Sequence, residues 1–449
     1  MNIITFLVLL SFTLIAYFYG NKELLFPWFL LCLALTVSML IVVCNTENWG
    51  TNINGKFLLY LLTAIVSWGI GSALIKELHK KRKKSGDSVI LRNDPVEDLN
   101  VYPINLMMFI SIVFCVIYIV RVIGSVSLNG GITAALRKIY DNVVYNNYSP
   151  GFIFNQMREI VVAVAYISVY GLLKMRCIQK KDWISAIKLC IPIVMLIMLV
   201  VVSTDRNIFL RFAIYTIVIS VLFFQKNYAG TNLNIKIVGF VAAMLLLMLG
   251  VFFLLGKAKQ YSSNLARSVS IYGGAGLYDF NVWIQDYTGP LQYGASTFMS
   301  LIGVVQSIFE RLVGSVTNVG ANRFDEFITY QSSNGYYFEA NIYSALRPYV
   351  EDFGYFGVII FPIISGAFFE LVYENAKKRN GGYAWFFYAM QLYPIVFYPV
   401  SEQFFRRFHL GLVYEIAWSI IIYCACFKRK KVYSISKNIK SRMMDWRIK

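Results

Sequence analysis

The sequence predicts an all-α polytopic membrane protein. It is expected to have about eleven transmembrane helices, the N-terminus outside, the C-terminus in the cytoplasm, and one large extracytoplasmic loop of short helices. Three observations carry this. The 449 residues are 58% hydrophobic and only 15% charged. Apolar runs recur at the length of about 20 residues that spans a bilayer as a helix. The basic loops between them alternate, as the positive-inside rule requires.

The expected spans lie at 3–20, 25–44, 57–75, 102–125, 152–173, 184–203, 207–224, 236–256, 353–374, 384–401 and 409–427. A membrane β-barrel would alternate polarity along each strand. The unbroken apolar run from Ile193 to Val202 excludes it. Met1 to Leu10 has no basic residue and no small-residue cleavage site follows, so it reads as a first span rather than a cleaved signal. The domains follow: spans one to eight over 1–256, the large loop over 257–352, spans nine to eleven over 353–427, and a basic tail at 428–449. Six of the seven cysteines lie in or at the ends of spans, which argues against a disulfide framework. No Cys/His spacing fits a metal site, and no cofactor is expected.

Orientation comes from the loops at 76–101, 174–183, 225–236, 377–379 and 428–449, which are all basic and fall on one side. The net charge of +18 is then mainly an orientation signal, with anionic membrane lipid as a partner and nucleic acid not expected. The two cations divide unevenly. The inward side carries twenty lysines and seven arginines, the outward side four lysines and eleven arginines. Guanidinium groups bind phosphate in two-point fashion, so the excess points to an anionic ligand at the outer leaflet. The competing reading pairs these arginines with the eight carboxylates of 257–352. Arg121, Arg158 and Arg211 sit inside expected spans, where an ionisable group either serves function or snorkels to the interface. Arg206 stands in the tight turn Ser203-Thr204-Asp205-Arg206-Asn207, whose Asp205 and Asn207 suit helix capping.

The segment 257–352 carries ten tyrosines. Short helices are expected at Asn281 to Asp286 and Gly294 to Val316, separated by glycines, with Leu301 to Phe309 lying on or dipping into the membrane. Aromatic rings stack on sugar faces, and amides bond to sugar hydroxyls; an interfacial aromatic belt is the alternative. Arg347-Pro348 and Asp352 close the segment at the start of the next span, where Asp352 also suits the helix dipole.

The string Asn341-x-Tyr343-x3-Arg347-Pro348-Tyr349-x2-Asp352-Phe353-Gly354-x2-Gly357 resembles the bacterial oligosaccharide repeat-unit polymerases, the Wzy-type polymerases of O-antigen, capsule and exopolysaccharide. The Thr204-Asp205-Arg206-Asn207 turn, the span count, the late outward loop and the basic tail are similar to that family as well. The resemblance implies a metal-independent glycosyltransferase of the bacterial cytoplasmic membrane. It would polymerise undecaprenyl-diphosphate-linked oligosaccharide, transferring the growing chain onto a new lipid-linked unit, alongside a flippase and a chain-length regulator. An O-antigen ligase-like transferase and a transporter or flippase of lipid-linked oligosaccharide are the alternatives. On this reading Arg206, Arg347 and Arg406, then Arg211, Arg267 and Arg407, hold the diphosphate. Asp352, Glu351, Glu402 and His409 are candidates for the base, with Asp352 first because the motif falls there. Asn341, Tyr343, Tyr349 and Trp283 are the sugar-binding candidates.

Overall fold

The computed structural model describes residues 1–84, 97–126, 131–144, 149–179, 186–203, 205–227, 239, 241–246, 250–251, 265–313, 325–333, 335–379 and 381–429. Among these residues, seven helices are long and apolar enough to cross a membrane, and the protein is a multi-pass membrane protein. They are α1 (Asn2–Tyr19), α2 (Pro27–Cys44), α4 (Gly55–Lys84), α5 (Val101–Ile123), α7 (Phe152–Leu173, continued by a π turn at Lys174–Ile178), α9 (Arg206–Asn227) and α12 (Leu346–Arg379). A four-residue α3 (Thr46–Trp49) and the strand β1 (Glu97–Leu99) sit between the early helices, and α6 (Gly131–Val144) follows α5. The shorter apolar helices α8 (Cys190–Ser203) and α15 (Leu410–Cys426) match expected spans at 184–203 and 409–427. The span expected at 236–256 falls largely outside the described residues.

Small residues allow the closest helix contacts, as they do where lipid removes the hydrophobic drive for association. A Cβ on Gly71 of α4 would stand 2.1 Å from the Ile363 carbonyl oxygen of α12, and one on Gly366 of α12 would stand 2.3 Å from the Trp68 carbonyl oxygen. Helices α1 and α2 are joined by the hydroxyls of Thr13 and Thr36 at 2.8 Å. A second group gathers α5, α7, α8 and α15. Here Tyr170 of α7 meets Tyr423 of α15 and Phe223 of α9 edge to face. At one end of the bundle a short ribbon pairs β1 with β4 (Phe427–Arg429), antiparallel, with Asp98 opposite Lys428. Lys76, Lys377 and Lys378 lie at this end, the first two bonded to the Tyr19 carbonyl and Glu23.

The large polar segment builds on the opposite end, and it departs from expectation in three ways. Its first helix, α10 (Leu265–Asp286), runs unbroken for 22 residues through Gly273-Gly274-Ala275-Gly276. These glycines do not separate pieces. They admit neighbours: a Cβ on Gly276 would stand 2.2 Å from the Pro399 carbonyl oxygen, and one on Gly274 2.9 Å from Ile41. Next come α11 (Met299–Val313) and a hairpin of β2 (Ile328–Gln331) with β3 (Tyr337–Ala340), in register Ile328 to Ala340. Third, helix α12 begins at Leu346 rather than 353 and kinks at Gly354, whose φ of +58° favours glycine. The run from Leu346 to Asp352 is buried. The single span expected at 384–401 is instead broken into α13 (Gly382–Gln391) and the one-turn α14 (Tyr393–Val396). Pro394 lacks the N–H that would continue the helix. The chain then resumes with helical bonds such as Phe397 N–H to the Tyr393 carbonyl at 3.0 Å.

Candidate anion-binding cavity

A cavity of about 630 Å³ opens at the end of the bundle that carries the polar segment. Several parts of the chain line it: the ends of α5 and α7, α6 through Tyr140, the turn before α9, α10 through Tyr272, Asp325, the strand-to-helix passage Asn341 to Pro348, and the stretch from Tyr393 to Arg406. Four arginines (Arg158, Arg206, Arg347, Arg406) and three carboxyls (Asp205, Asp325, Glu402) are among the lining residues. Around them stand Tyr118, Tyr140, Tyr272, Tyr343 and Tyr393, with the amides of Asn155, Asn207, Asn341 and Gln403. Rings and amides beside guanidinium groups suit a ligand that is part carbohydrate and part anion.

Arg347 is the most constrained of the four. Only 2% of it is exposed, yet it lines the cavity. Its guanidinium lies 3.9 Å from the ring centre of Tyr343 and 5.0 Å from that of Trp283. Its Nε donates to Glu351 at 2.9 Å, and Nη2 approaches Asp325 at 3.8 Å and Glu326 at 3.6 Å. Nη1 is buried and has no hydrogen-bond partner among the described residues. A buried cationic donor left unpaired is costly, and such groups are nearly always satisfied in the working state of a protein.

The other arginines are held by the segments that present them. Arg206 opens α9 directly after Asp205, whose Oδ1 accepts the Asn207 N–H at 3.0 Å and caps the helix. Its Nη1 donates to the Tyr272 hydroxyl at 3.4 Å. Arg406 lies in the 3₁₀ turn Phe405–Arg407 and donates through Nε to the Ser296 carbonyl at 3.3 Å. That turn is organised by Glu402. Its Oε1 accepts the N–H groups of Phe404 and Phe405 and the Tyr349 hydroxyl, and its Oε2 accepts the Arg406 N–H at 2.8 Å. Burial pushes the Glu402 carboxyl above the usual carboxylate range, and the backbone N–H groups oppose that shift. A carboxyl with raised proton affinity beside a cavity is the form a general acid or base takes.

The sequence candidates therefore divide. Arg206, Arg347, Arg406, Asn341, Tyr343 and Glu402 line the cavity together, though 135 positions and more separate Arg206 from the others. Tyr349 and Trp283 stand behind it, Tyr349 holding Glu402 and Trp283 backing Arg347. Asp352, first choice for the base, is not among the lining residues. It is fully buried, and its two oxygens accept the N–H groups of Ser296 and Thr297 at 3.0 and 2.6 Å. Glu351 likewise faces Arg347 and Ser296. Arg211 and Arg407 are absent from the lining because both bind Glu415 Oε2, at 2.6 and 3.1 Å, tying α9, the 3₁₀ turn and α15 together. Arg267 is turned to the hairpin, donating to the Tyr337 carbonyl at 2.8 Å. His409 precedes α15 and is also outside the lining.

Arginine pairing is thus common, but Glu415 and Glu159 supply much of it from outside 257–352. Arg158 is a lining residue that sequence reasoning left aside. It pairs with the adjacent Glu159 at 2.8 Å and still reaches the cavity. Its signal was its position inside a span. Asp205, Asp325 and Gln403 carried none beyond their loops. Among the described residues no three His, Cys, Asp or Glu side chains gather as a metal site would need. Comparison with protein-family models, curated proteins and solved structures returns no match.

Proposed function

We propose that the protein is a glycosyltransferase that polymerises lipid-diphosphate-linked oligosaccharide repeat units, of the undecaprenyl type, at the outer face of a bacterial cytoplasmic membrane. The observation that carries the reading is Arg347, buried at 2% exposure with an unpartnered Nη1, in a cavity shared with Arg206 and Arg406. A leaving diphosphate would supply an acceptor oxygen to that nitrogen. The multi-pass fold suits a lipid-borne substrate, and the rings and amides around the arginines suit its sugar. The motif resemblance described above points to the same reaction.

On this reading the acceptor sugar hydroxyl gives its proton to Glu402, and its oxygen bonds to the anomeric carbon of the donor chain. The bond from that carbon to the lipid diphosphate breaks, and the diphosphate leaves with the electron pair. Arg206, Arg347 and Arg406 stabilise the charge that develops there, commonly the largest catalytic contribution of this kind. Tyr349 and the backbone of residues 404–406 hold Glu402 in place. Asn341 and Tyr343 contact sugar at the cavity wall. The basic end of the bundle faces the cytoplasm and the cavity faces outward.

The test is genetic. Arg347→Ala and Arg347→Lys proteins are produced in the host strain, membrane insertion is checked, and surface polymer length is read on gels. Loss of one preorganised donor lowers turnover by about 10²–10³-fold, so Arg347→Ala gives single repeat units. Arg347→Lys gives a short residual ladder at most, because the two-point fork is gone. Wild-type polymer from an inserted Arg347→Ala protein refutes the role.

A further inference from the structure

We propose that Ser296 is a positioning residue that locks Arg347 and Arg406 into one two-point clamp for a diphosphate. The inference rests on the diphosphate reading above and deepens it. Arg347 Nε donates to Glu351 Oε1 at 2.9 Å. The other oxygen of the same carboxylate, Oε2, accepts the Ser296 hydroxyl in a very short bond. The Ser296 carbonyl in turn accepts Arg406 Nε at 3.3 Å. One residue therefore joins the two arginines through both its side chain and its backbone. Glu351 and Ser296 are 2% and 5% exposed, so the part of the bridge on the Glu351 carboxylate is buried, where a charge-assisted bond is stronger than in water.

The bridge grips each guanidinium at Nε, the nitrogen nearest the stem. That leaves terminal nitrogens for a ligand: Arg347 Nη1 has no partner among the described residues, while Nη2 stays 3.6–3.8 Å from Glu326 and Asp325. Arg347 and Arg406 are 59 positions apart and approach from different elements. Glu402 ties the two backbones through the Tyr349 hydroxyl and the Arg406 N–H, and the Ser296 bridge ties the two guanidinium groups. Each guanidinium can take one phosphate, and a fixed separation selects a ligand with two phosphates at the matching distance.

The loop that carries Ser296 is held independently of its hydroxyl. Tyr293 and Gly294 both take positive φ, 50° and 100°, which turns the chain sharply onto α12. Gln292 N–H donates to the Glu351 carbonyl at 2.9 Å and Tyr293 N–H to the Asp352 carbonyl at 3.1 Å. Asp352 receives the N–H groups of Ser296 and Thr297. Removing the hydroxyl leaves all four bonds. The hydroxyl has one alternative acceptor, Gln292 Oε1 at 3.3 Å, a neutral group that competes poorly with the carboxylate.

The experiment measures binding of inorganic diphosphate and of inorganic phosphate to the purified full chain in detergent. Wild type, Ser296→Ala, Ser296→Thr and Glu351→Gln are compared, with thermal melting recorded for each. Wild type prefers diphosphate. Ser296→Ala folds with a lowered melting temperature, because the buried Glu351 Oε2 loses its donor. It keeps its phosphate affinity but loses the preference about tenfold, and Ser296→Thr restores it. Ser296→Ala does not alter charge, so the lost preference reports geometry. If Ser296→Ala fails to fold, Glu351→Gln decides, since it keeps the length of the bridge and removes its charge; the same loss of preference is expected. An undiminished preference in folded Ser296→Ala, or in Glu351→Gln where Ser296→Ala does not fold, overturns the positioning role and leaves the diphosphate site standing. A wild-type protein that binds neither anion overturns the site and the clamp together.

Discussion

Two buried carboxyls, Asp352 of α12 and Glu402 of the neighbouring loop, both accept backbone N–H groups, and they differ in that Glu402 alone of the two borders the cavity. Asp352 has both oxygens filled by backbone N–H groups that no other acceptor serves. Asp352→Ala leaves those donors buried and unpaired, at a cost of about 1–3 kcal/mol each. It is expected to lower the melting temperature in detergent markedly. Glu402 lines the cavity, and burial raises its proton affinity. As the proposed base it must be deprotonated, so turnover is expected to rise with pH through its raised pKa. Glu402→Gln keeps an acceptor oxygen for the turn but removes that limb of the pH profile and about 10²–10⁴-fold of the rate. The uneven division of arginine and lysine between alternate loops was legible in the sequence and led to Arg206, Arg347 and Arg406. The sorting of Arg211 and Arg407 away from them was not. It depends on Glu415, 204 positions from Arg211, and only the packed fold makes them neighbours. The motif made Asp352 prominent, but a residue type at a helix start does not reveal which way its carboxyl turns.

At the scale of elements, α10 shows why glycine was misleading. Glycine breaks a helix in water because it favours disorder, but among packed helices its missing Cβ admits a neighbouring backbone. Gly276 meets the Pro399 carbonyl, close to the loop that carries Glu402 and Arg406. Gly276→Ala is expected to push that loop and cost about 1–3 kcal/mol by overpacking, with activity falling along with the melting temperature. The same helix buries Asp279, which accepts the Ile342 N–H at 3.2 Å and so anchors the lining passage after β3. Burial raises the Asp279 pKa to about 8. The native chain therefore keeps a proton that the unfolded chain releases near pH 4. Its contribution is complete below about pH 4 and declines as pH rises towards about 8. Asp279→Asn, which keeps an acceptor for Ile342, is expected to flatten that decline in melts taken across the range. The apolar runs predicted most span positions well. The break between α13 and α14 was hidden in an apolar run, although Pro394 stood within it.

For the whole molecule, lysines gather at one end of the bundle and the arginine-lined cavity opens at the other. The orientation proposed for it makes a direct prediction. In a cysteine-free background, Phe327→Cys, 58% exposed beside the hairpin, is labelled by an impermeant thiol reagent on intact cells. Lys81→Cys, exposed near the end of α4, is labelled only after lysis. The reverse pattern would place the cavity in the cytoplasm and exclude an outer-leaflet substrate. The most direct test of the central claim is the reaction itself, with the purified protein in liposomes and undecaprenyl-diphosphate-linked repeat units as the sole substrate. The account predicts a ladder of longer lipid-linked chains with release of undecaprenyl diphosphate, and no ladder from Arg347→Ala. Movement of the substrate across the bilayer without new glycosidic bonds, or an undiminished ladder from Arg347→Ala, would contradict it.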